Sequence, residues 1–151
     1  CAAVRSFAAA SRSAAKLVRV SAPSQVSNSA STSCRRALMY FAGFARVTAF
    51  NADRNDVGHL VSAVSGPGYA SPVVRAAKPY DLIFENILAR PIRKLSKDLA
   101  RHLAPGGTAI LSGLLVRDTP LVITAHRRQG LRLVRHMTIN GWRSLVMKKP
   151  G

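Results

Sequence analysis

The hydrophobic pattern of the chain is regular mainly in its second half, where short apolar runs alternate with amphipathic stretches. Residues 80–84, YDLIF, are almost continuously apolar, which is typical of a strand covered on both faces. Pro91 suits the first turn of a helix that follows, and Pro105-Gly106-Gly107 is expected to stop it. Between these points an apolar stripe predicts an amphipathic helix; its members, three and four residues apart, are Ile92, Leu95, Leu99 and Leu103.

The remaining elements extend this alternation on both sides. Residues 47–55 favour a short helix, and residues 60–64 favour a strand that is followed by a Gly-Pro-Gly turn. Residues 108–113, TAILSG, predict another buried strand, and the Asp-Thr pair at 118–119 can cap a second helix. The Asn-Gly pair at 140–141, between alternating stretches, predicts a hairpin. This order predicts an α/β fold with a parallel, doubly covered sheet that ends in an antiparallel hairpin.

The amino-terminal region differs in composition from the rest of the chain. None of the six acidic residues precedes Asp53, and Ala, Ser and interspersed Arg dominate residues 1–33. We therefore divide the chain into residues 1–46, expected to be poorly structured, helical or transit-like, and residues 47–151, the folded α/β part. Three interpretations of the first segment stay open: an organelle transit peptide, an out-of-frame translation of a GC-rich gene, or a genuine Ala-rich helix over residues 6–18.

The charge of the chain is extreme, because 23 Lys and Arg residues against six acids give +17. This balance favours acidic partners such as RNA or a ribosomal surface. The sequence has no zinc-finger spacing, recognition helix or aromatic RNA platform, so charge alone is weak support for direct nucleic-acid binding. Two cysteines, Cys1 and Cys34, and four scattered histidines predict neither a disulfide framework nor a metal site. No apolar run is long enough to predict a membrane span.

An ordered set of motifs gives the chain a family resemblance. Residues 80–115 read YDLIFENILARPIRKLSKDLARHLAPGGTAILSGLL, and residues 129–149 read QGLRLVRHMTINGWRSLVMKK. These stretches resemble the PrmA family, which methylates the eleventh protein of the large ribosomal subunit and carries YDLI-x-ANILA, a helix and APGG-x-x-x-LSG-[IL]-L in this order. The similarity covers residues 47–149. It implies the carboxyl-terminal part of a Rossmann-like methyltransferase domain that uses S-adenosylmethionine.

The resemblance implies a role for Asn86, which directly follows the predicted strand. Doubly wound sheets bind ligands beyond the carboxyl ends of their strands, so Asn86 is expected at the rim of the cofactor cleft. In the family the matching Asn contacts the cofactor and orients the incoming amine. We carry this catalytic role over to Asn86, and cofactor binding to Asn86, Ile87 and Leu88. Trp142 is expected to pack on the hairpin, at an edge that the resemblance places near the cleft.

The chemistry of methyl transfer suits an amide at this position. The reaction is an in-line displacement, so positioning the amine lone pair behind the methyl carbon supplies much of the rate. An amide carbonyl accepts a hydrogen bond from an amine without protonating it. On its spacing alone, however, Asn86 is better explained as a strand-end residue that bonds local backbone. The flanking motifs, and not the spacing, favour the catalytic interpretation.

The sequence departs from the family at several positions. No Gly occurs before Gly43 and no acid before Asp53, whereas the family places a glycine-rich cofactor loop and a ribose-binding acid upstream of the matched region. The family's separate amino-terminal domain is missing as well. Glu85 replaces a small residue, usually Ala, and its carboxylate is expected to attract a cationic amine, to fill the pocket, or to be a tolerated change. These departures predict a truncated or inactive copy.

Two rival hypotheses remain. In one, the chain is a non-enzymatic basic module that binds RNA or the ribosome, which requires clustering of its cations on one face; they are Arg93, Lys94, Lys97, Arg101, Arg127, Arg128, Arg132 and Arg135. In the other, the nucleophile is a nucleic-acid base or a small molecule. Ile87-Leu88 speaks against this, because many nucleic-acid amino-methyltransferases carry Pro-Pro after the Asn. The family implies the bacterial cytoplasm, and a transit peptide would imply a mitochondrion or plastid.

Overall fold

The computed structural model describes residues 15–21, 36–42, 45–65 and 68–151, which include a seven-stranded sheet. The strands are β1 (Ala15–Ser21), β2 (Arg36–Ala42), β3 (Val61–Ser65), β4 (Tyr80–Asn86), β5 (Leu103–Leu115), β6 (Arg132–Ile139) and β7 (Trp142–Lys148). The helices are α1 (Ala45–Arg54), α2 (Pro72–Ala76), α3 (Ala89–His102) and α4 (Thr119–Arg127). Short 3-10 turns lie at Gly58–Leu60, Gly68–Ala70 and Val116–Asp118. The predicted strand–helix–strand–helix–hairpin order is confirmed.

The strand order across the sheet is β3-β1-β2-β4-β5-β7-β6. β2, β4 and β5 are mutually parallel, whereas all other neighbouring pairs are antiparallel. After β2 the chain runs to β3 at one edge of the sheet, and it then crosses back to β4, which lies on the other side of β2. The connections that leave β2 and β4 therefore run in opposite directions along the sheet. Open α/β sheets bind ligands at such a switch point, beyond the carboxyl ends of the strands.

The terminal hairpin confirms the prediction made from the Asn-Gly pair. Asn140 and Gly141 have φ values of 48° and 79°, as a type I′ turn requires at both central positions. The alternation along β6 does not produce a buried face, because β6 is an edge strand. Val134, Met137 and Ile139 are each more than half exposed.

The core lies where the sheet packs against α3 and α4. The stripe predicted on α3 is confirmed for Ile92 and Leu99, which are fully buried, and Leu95 packs against them at the margin. The other large buried apolar residues are Tyr69, Val74, Tyr80, Ile83, Leu103, Leu111, Leu114, Val122, Leu131, Leu145 and Met147. Burial of each such side chain stabilises a fold by about 1.5–3 kcal/mol. Because residues of α3, β4, β5 and β7 belong to the same buried cluster, these elements form one packed unit.

The carboxyl end of α3 differs from the prediction that Pro105-Gly106-Gly107 stops the helix. The helix already ends at His102, and β5 begins at Leu103. Leu103 has extended backbone angles, φ −79° and ψ 131°, and pairs with Tyr80 of β4. Its side chain is buried in the core, so burial within the sheet outweighs another turn of helix.

Lys149 caps the carbonyl groups at this helix end. Its Nζ donates hydrogen bonds to the Ala100 carbonyl at 2.8 Å and to the Leu103 carbonyl at 2.9 Å. The last carbonyls of a helix lack intrahelical donors, and a cation also interacts favourably with the helix dipole there. The contact joins residues that are 46 and 49 positions apart along the chain.

Lys149→Met is expected to lower the free energy of unfolding by about 1–2 kcal/mol, because it removes two charge-assisted hydrogen bonds but keeps the methylene stem. Urea unfolding followed by circular dichroism measures this loss. Lys148→Met is the matched control, because Lys148 is the exposed neighbour and its loss should cost less than about 0.5 kcal/mol. Equal losses in the two variants would contradict the capping role.

Part of the amino-terminal segment is strand, since β1 and β2 lie within residues 1–46. The alternative helix over residues 6–18 does not hold for residues 15–18, which belong to β1. The other residues of that alternative, and residues 66–67 of the expected turn, lie outside the described residues. The division of the chain at residue 46 stays a prediction. In the described part of the chain, no helix has both the length and the apolar character needed to cross a bilayer.

Candidate functional site

Asn86 lies at the switch point of the sheet, at the carboxyl end of β4. In the parallel register it is level with Phe41 of β2 on one side and with Ser112 of β5 on the other. Its side chain is exposed, whereas that of the preceding Glu85 is fully buried. This position agrees with the expectation that the strand delivers an amide to the ligand-binding edge. The catalytic role of Asn86 stays a prediction.

Gly113 lets the backbone of β5 pass directly beside this amide. A Cβ atom at Gly113 would lie 2.8 Å from the carbonyl oxygen of Ile87 and 3.1 Å from Oδ1 of Asn86. Gly113 also has a φ of +78°, which residues with a side chain rarely adopt. Sequence reasoning assigned residues 108–113 to a strand and missed this role. A Gly inside a strand pattern is the signal that could have indicated the close approach.

A cavity of about 290 Å³ adjoins the ends of β4, β5 and β7. Its lining residues are Leu88, Ala89, Arg90, Arg93, Gly113, Leu115, Asp118, Leu121 and Trp142. Leu88 is 68% exposed and Trp142 is 50% exposed, so Trp142 is only half packed on the hairpin and both offer apolar surface to a ligand. The side chain of Ile87 packs against the core instead. Of the three predicted cofactor-binding residues, only Leu88 lines this cavity, while Asn86 is exposed beside it, next to Gly113.

The charged residues of this cavity favour a neutral amine over an ammonium ion. Arg90 and Arg93 line it together with Asp118, so cations outnumber the carboxylate. Nearby positive charge lowers the pKa of an amine, and partial burial acts in the same direction. A free lysine amine has a pKa near ~10.4 and must lose its proton before it attacks a methyl group. An amine in this cavity is therefore expected to be protonated less readily than an amine in water.

Glu85 lies on the core side of the strand and not at this edge. Successive residues of a strand point to opposite faces, which separates Glu85 from Asn86. Its Oε1 accepts a 2.7 Å hydrogen bond from the Tyr69 hydroxyl, and within the described residues its Oε2 has no partner. Burial raises the pKa of Glu85 from 4.5 to about 7, although the Tyr69 hydrogen bond lowers it. The carboxylate is enclosed in the core, so it neither attracts an amine nor fills the ligand pocket.

The switch point between β2 and β4 and the terminal antiparallel hairpin are features of the Rossmann-like methyltransferase fold. The chain shares this fold with an RNA methyltransferase from Salinibacter ruber in complex with S-adenosyl-L-homocysteine, with a TM-score of 0.53 and 15% identity, covering 70% of this chain and 59% of that one. It belongs to the ribosomal protein L11 methyltransferase (PrmA) family, whose sequence profile matches residues 44–150. The resemblance identified over residues 47–149 is thereby confirmed.

Curated relatives from bacteria match the same part of the chain. The ribosomal protein L11 methyltransferase of Bradyrhizobium diazoefficiens is 49% identical over 106 residues, which are 70% of this chain and 36% of the relative. The protein of that name from Rhodopseudomonas palustris is 48% identical over 99 residues, which are 66% of this chain and 34% of the relative. The chain therefore spans about a third of the length of these relatives.

Proposed function

We propose that this chain forms the Asn86 edge of an S-adenosylmethionine-dependent methyltransferase that modifies amino groups of ribosomal protein L11. The observation that carries the proposal is the exposed Asn86 at the switch point, beside a cavity with apolar walls and two arginines. Membership of the family supports both the cofactor and the substrate.

The residues around Asn86 fit the reactive end of the cofactor. Gly113 has no Cβ, so Oδ1 of Asn86 can lie against the β5 backbone while the amide stays exposed. When bound, S-adenosylmethionine supplies an electrophilic methyl group. The glycine-rich loop and the ribose-binding acid of the family have no counterparts before Gly43 and Asp53. The proposed contacts of this chain are therefore those of Asn86 and its neighbours.

The residues of the site act on the amine by positioning and desolvation. The carbonyl oxygen of Asn86 accepts a hydrogen bond from the neutral amine and aims its lone pair. Leu88 and Trp142 add apolar surface to the cavity, while Arg90 and Arg93 disfavour the protonated amine. Because the amine has lost its proton before attack, Asn86 does not have to act as a base.

Trp142 makes ligand binding at this site measurable, because it is the single tryptophan of the chain and lines the cavity. Addition of S-adenosylmethionine or S-adenosylhomocysteine at moderate salt is expected to change its fluorescence saturably. Asn86→Ala should weaken this binding by at least about tenfold, since it removes an amide hydrogen bond at the ligand. Isothermal titration calorimetry measures the same affinity without a fluorescent reporter.

Asn55→Ala is the matched control, because Asn55 is an exposed amide outside the site that donates to the Asn51 carbonyl at 2.7 Å. This variant should bind the cofactor like the parent chain. Circular dichroism establishes that all three proteins are folded. A folded parent chain that binds neither compound would overturn the proposal, and so would equal affinities in the parent and in Asn86→Ala.

The cellular setting forms a further part of the proposal. α3 packs against α4, which brings the exposed Arg93 and Lys97 of α3 to the same side of the sheet as Arg127 of α4. Exposed cations on both helices at one side of the sheet support contact with ribosomal RNA, either beside catalysis or as the basic-module alternative. We place the action of the chain in the cytoplasm, because the relatives are bacterial ribosomal-protein methyltransferases.

A further inference from the structure

A second cavity, of about 310 Å³, is lined by a different set of residues from the one at Asn86. Its lining residues are Tyr69, Ala70, Arg75, Lys78, Asp98, Arg101 and His102. The volume is at the lower end of the range of about 300–1,000 Å³ that ligand pockets occupy. None of these residues takes part in the proposed methyl transfer.

Positive charge dominates this cavity. Arg75, Lys78 and Arg101 face a single carboxylate, that of Asp98. The side chains of Arg75, Lys78 and Arg101 are all exposed, so their charged groups are accessible to a ligand. Arginine presents a planar fork of donors that matches the oxygens of a phosphate group, and lysine adds a compact point charge. The chemistry of the lining therefore favours an oxyanion.

His102 adds a buried nitrogen that lacks a partner. The residue is 6% exposed, and its ring centroid lies 4.9 Å from that of Tyr69. Nδ1 lies 2.8 Å from the carbonyl oxygen of Asp98, which can only accept, so Nδ1 carries a proton. Nε2 is buried and, among the described residues, has no hydrogen-bond partner. An unsatisfied buried polar atom is costly, and a ligand hydroxyl that donates a hydrogen bond to Nε2 would satisfy it.

The carboxyl end of α3, at this cavity, repels an anion less strongly than the helix dipole alone would. The carbonyls at the carboxyl end of a helix carry partial negative charge. At α3, the Lys149 ammonium already bonds two of these carbonyls, those of Ala100 and Leu103. The Tyr69 hydroxyl donates to Glu85 and not into the cavity, so the basic groups are left as the donors for a ligand.

We infer that this cavity binds a phosphate group, carried either by an RNA backbone or by a free phosphate or nucleotide. Arg75 and Arg101 supply forked donors, Lys78 supplies a further cation, and Nε2 of His102 can accept a hydrogen bond from a hydroxyl of the ligand. The net charge of +17 concentrates polyanions around the protein. The inference extends the proposed RNA contact but uses no residue of the methyl-transfer site. The phosphate site and the proposed methyl transfer can therefore fail independently.

The double variant Arg75→Gln/Arg101→Gln tests the site. Its matched control is Arg46→Gln/Arg54→Gln, which removes the same charge from exposed positions of α1. A fluorescent single-stranded RNA oligonucleotide at physiological salt should bind the cavity variant at least about tenfold more weakly than the control variant. Inorganic phosphate should raise the unfolding temperature of the control variant but not that of the cavity variant.

The two ligands distinguish the two sources of phosphate. If inorganic phosphate stabilises only the control variant while RNA binds both variants equally, the cavity holds a free phosphate, and the phosphate assignment stands. If the variants respond alike to both ligands, or if the control variant alone loses RNA binding, the inference is overturned. Nitrogen-15 NMR of the parent chain gives an independent readout, because added phosphate must shift the Nε2 resonance of His102, and an unchanged resonance would also overturn the inference.

Discussion

The free energy of unfolding of the parent protein is expected to fall by about 3 kcal/mol as the pH rises from about 4 to about 8, and Glu85→Gln is expected to remove most of this fall. Gln has nearly the shape of Glu, and its carbonyl oxygen can accept the Tyr69 hydrogen bond. It carries no charge, so it places no anion in the core. The effect is large because the side chain of Glu85 is fully buried.

The direction of this pH dependence follows from the raised pKa of Glu85. The carboxyl group titrates near 4.5 in the unfolded chain and at about 7 in the folded protein. Between these values the folded protein holds a proton that the unfolded chain has released, so stability falls as the pH rises. The contribution is fully present below pH 4.5 and is lost as the pH passes through about 7.

Urea unfolding of the parent and of Glu85→Gln across this pH range measures the difference. Asp56→Asn is the matched control, because Asp56 is an exposed acid with a positive φ of 56° that Asn tolerates. It should keep the pH dependence of the parent. The same pH dependence in the parent and in Glu85→Gln would show that Glu85 is not the buried carboxyl described above.

Gly113→Ala is expected to lower the free energy of unfolding by about 2–5 kcal/mol and to abolish cofactor binding at Asn86. The positive φ accounts for about 1–2 kcal/mol of this loss. The rest arises because the new Cβ would lie 2.8 Å from the Ile87 carbonyl oxygen, so the turn after β4 must shift. A displaced Asn86 would leave the position from which we propose that it orients the amine and contacts the cofactor.

Gly130→Ala separates backbone strain from this collision. Gly130 has a φ of +84°, and a Cβ there would meet nothing within 4 Å. Its replacement should therefore cost about 1–2 kcal/mol and leave the Trp142 fluorescence titration unchanged. Denaturant unfolding and the titration together test both variants. If Gly113→Ala behaves like Gly130→Ala, the close approach of β5 to Asn86 does not matter for the site.

The elements of the second half could be predicted because each has causes that lie close together in the sequence. The apolar run of β4, the stripe from Ile92 to Leu99 and the Asn140-Gly141 turn are all short-range signals. The position of Asn86 follows from them, because a residue that ends a parallel strand lies at the edge where ligands bind. The local pattern therefore accounts for the location of the candidate site, although not for the residues that line its cavity.

Contacts between distant residues could not be predicted in this way. Tyr69 and Glu85 are 16 residues apart, and nothing in the local pattern around either indicates that they pair. The closeness of Gly113 to Asn86 depends on the register of β4 with β5. β1 and β2 come from a segment without clear periodicity, so their pairing is visible only in the assembled sheet. The outer strand β6 alternates in sequence but has too few neighbours to bury a face.

The place of β7 in the sheet has a consequence for the order in which the chain is assembled. β7 follows β6 in the sequence but lies between β5 and β6. While a ribosome is still synthesising β7, β6 therefore has no neighbour in the sheet, and β5 presents an open edge to other nascent chains. Hairpins close in about 1–10 μs, far faster than residues are added. The Asn140-Gly141 turn thus helps a newly made chain to complete its own sheet before the open edge of β5 pairs with a strand of another nascent chain.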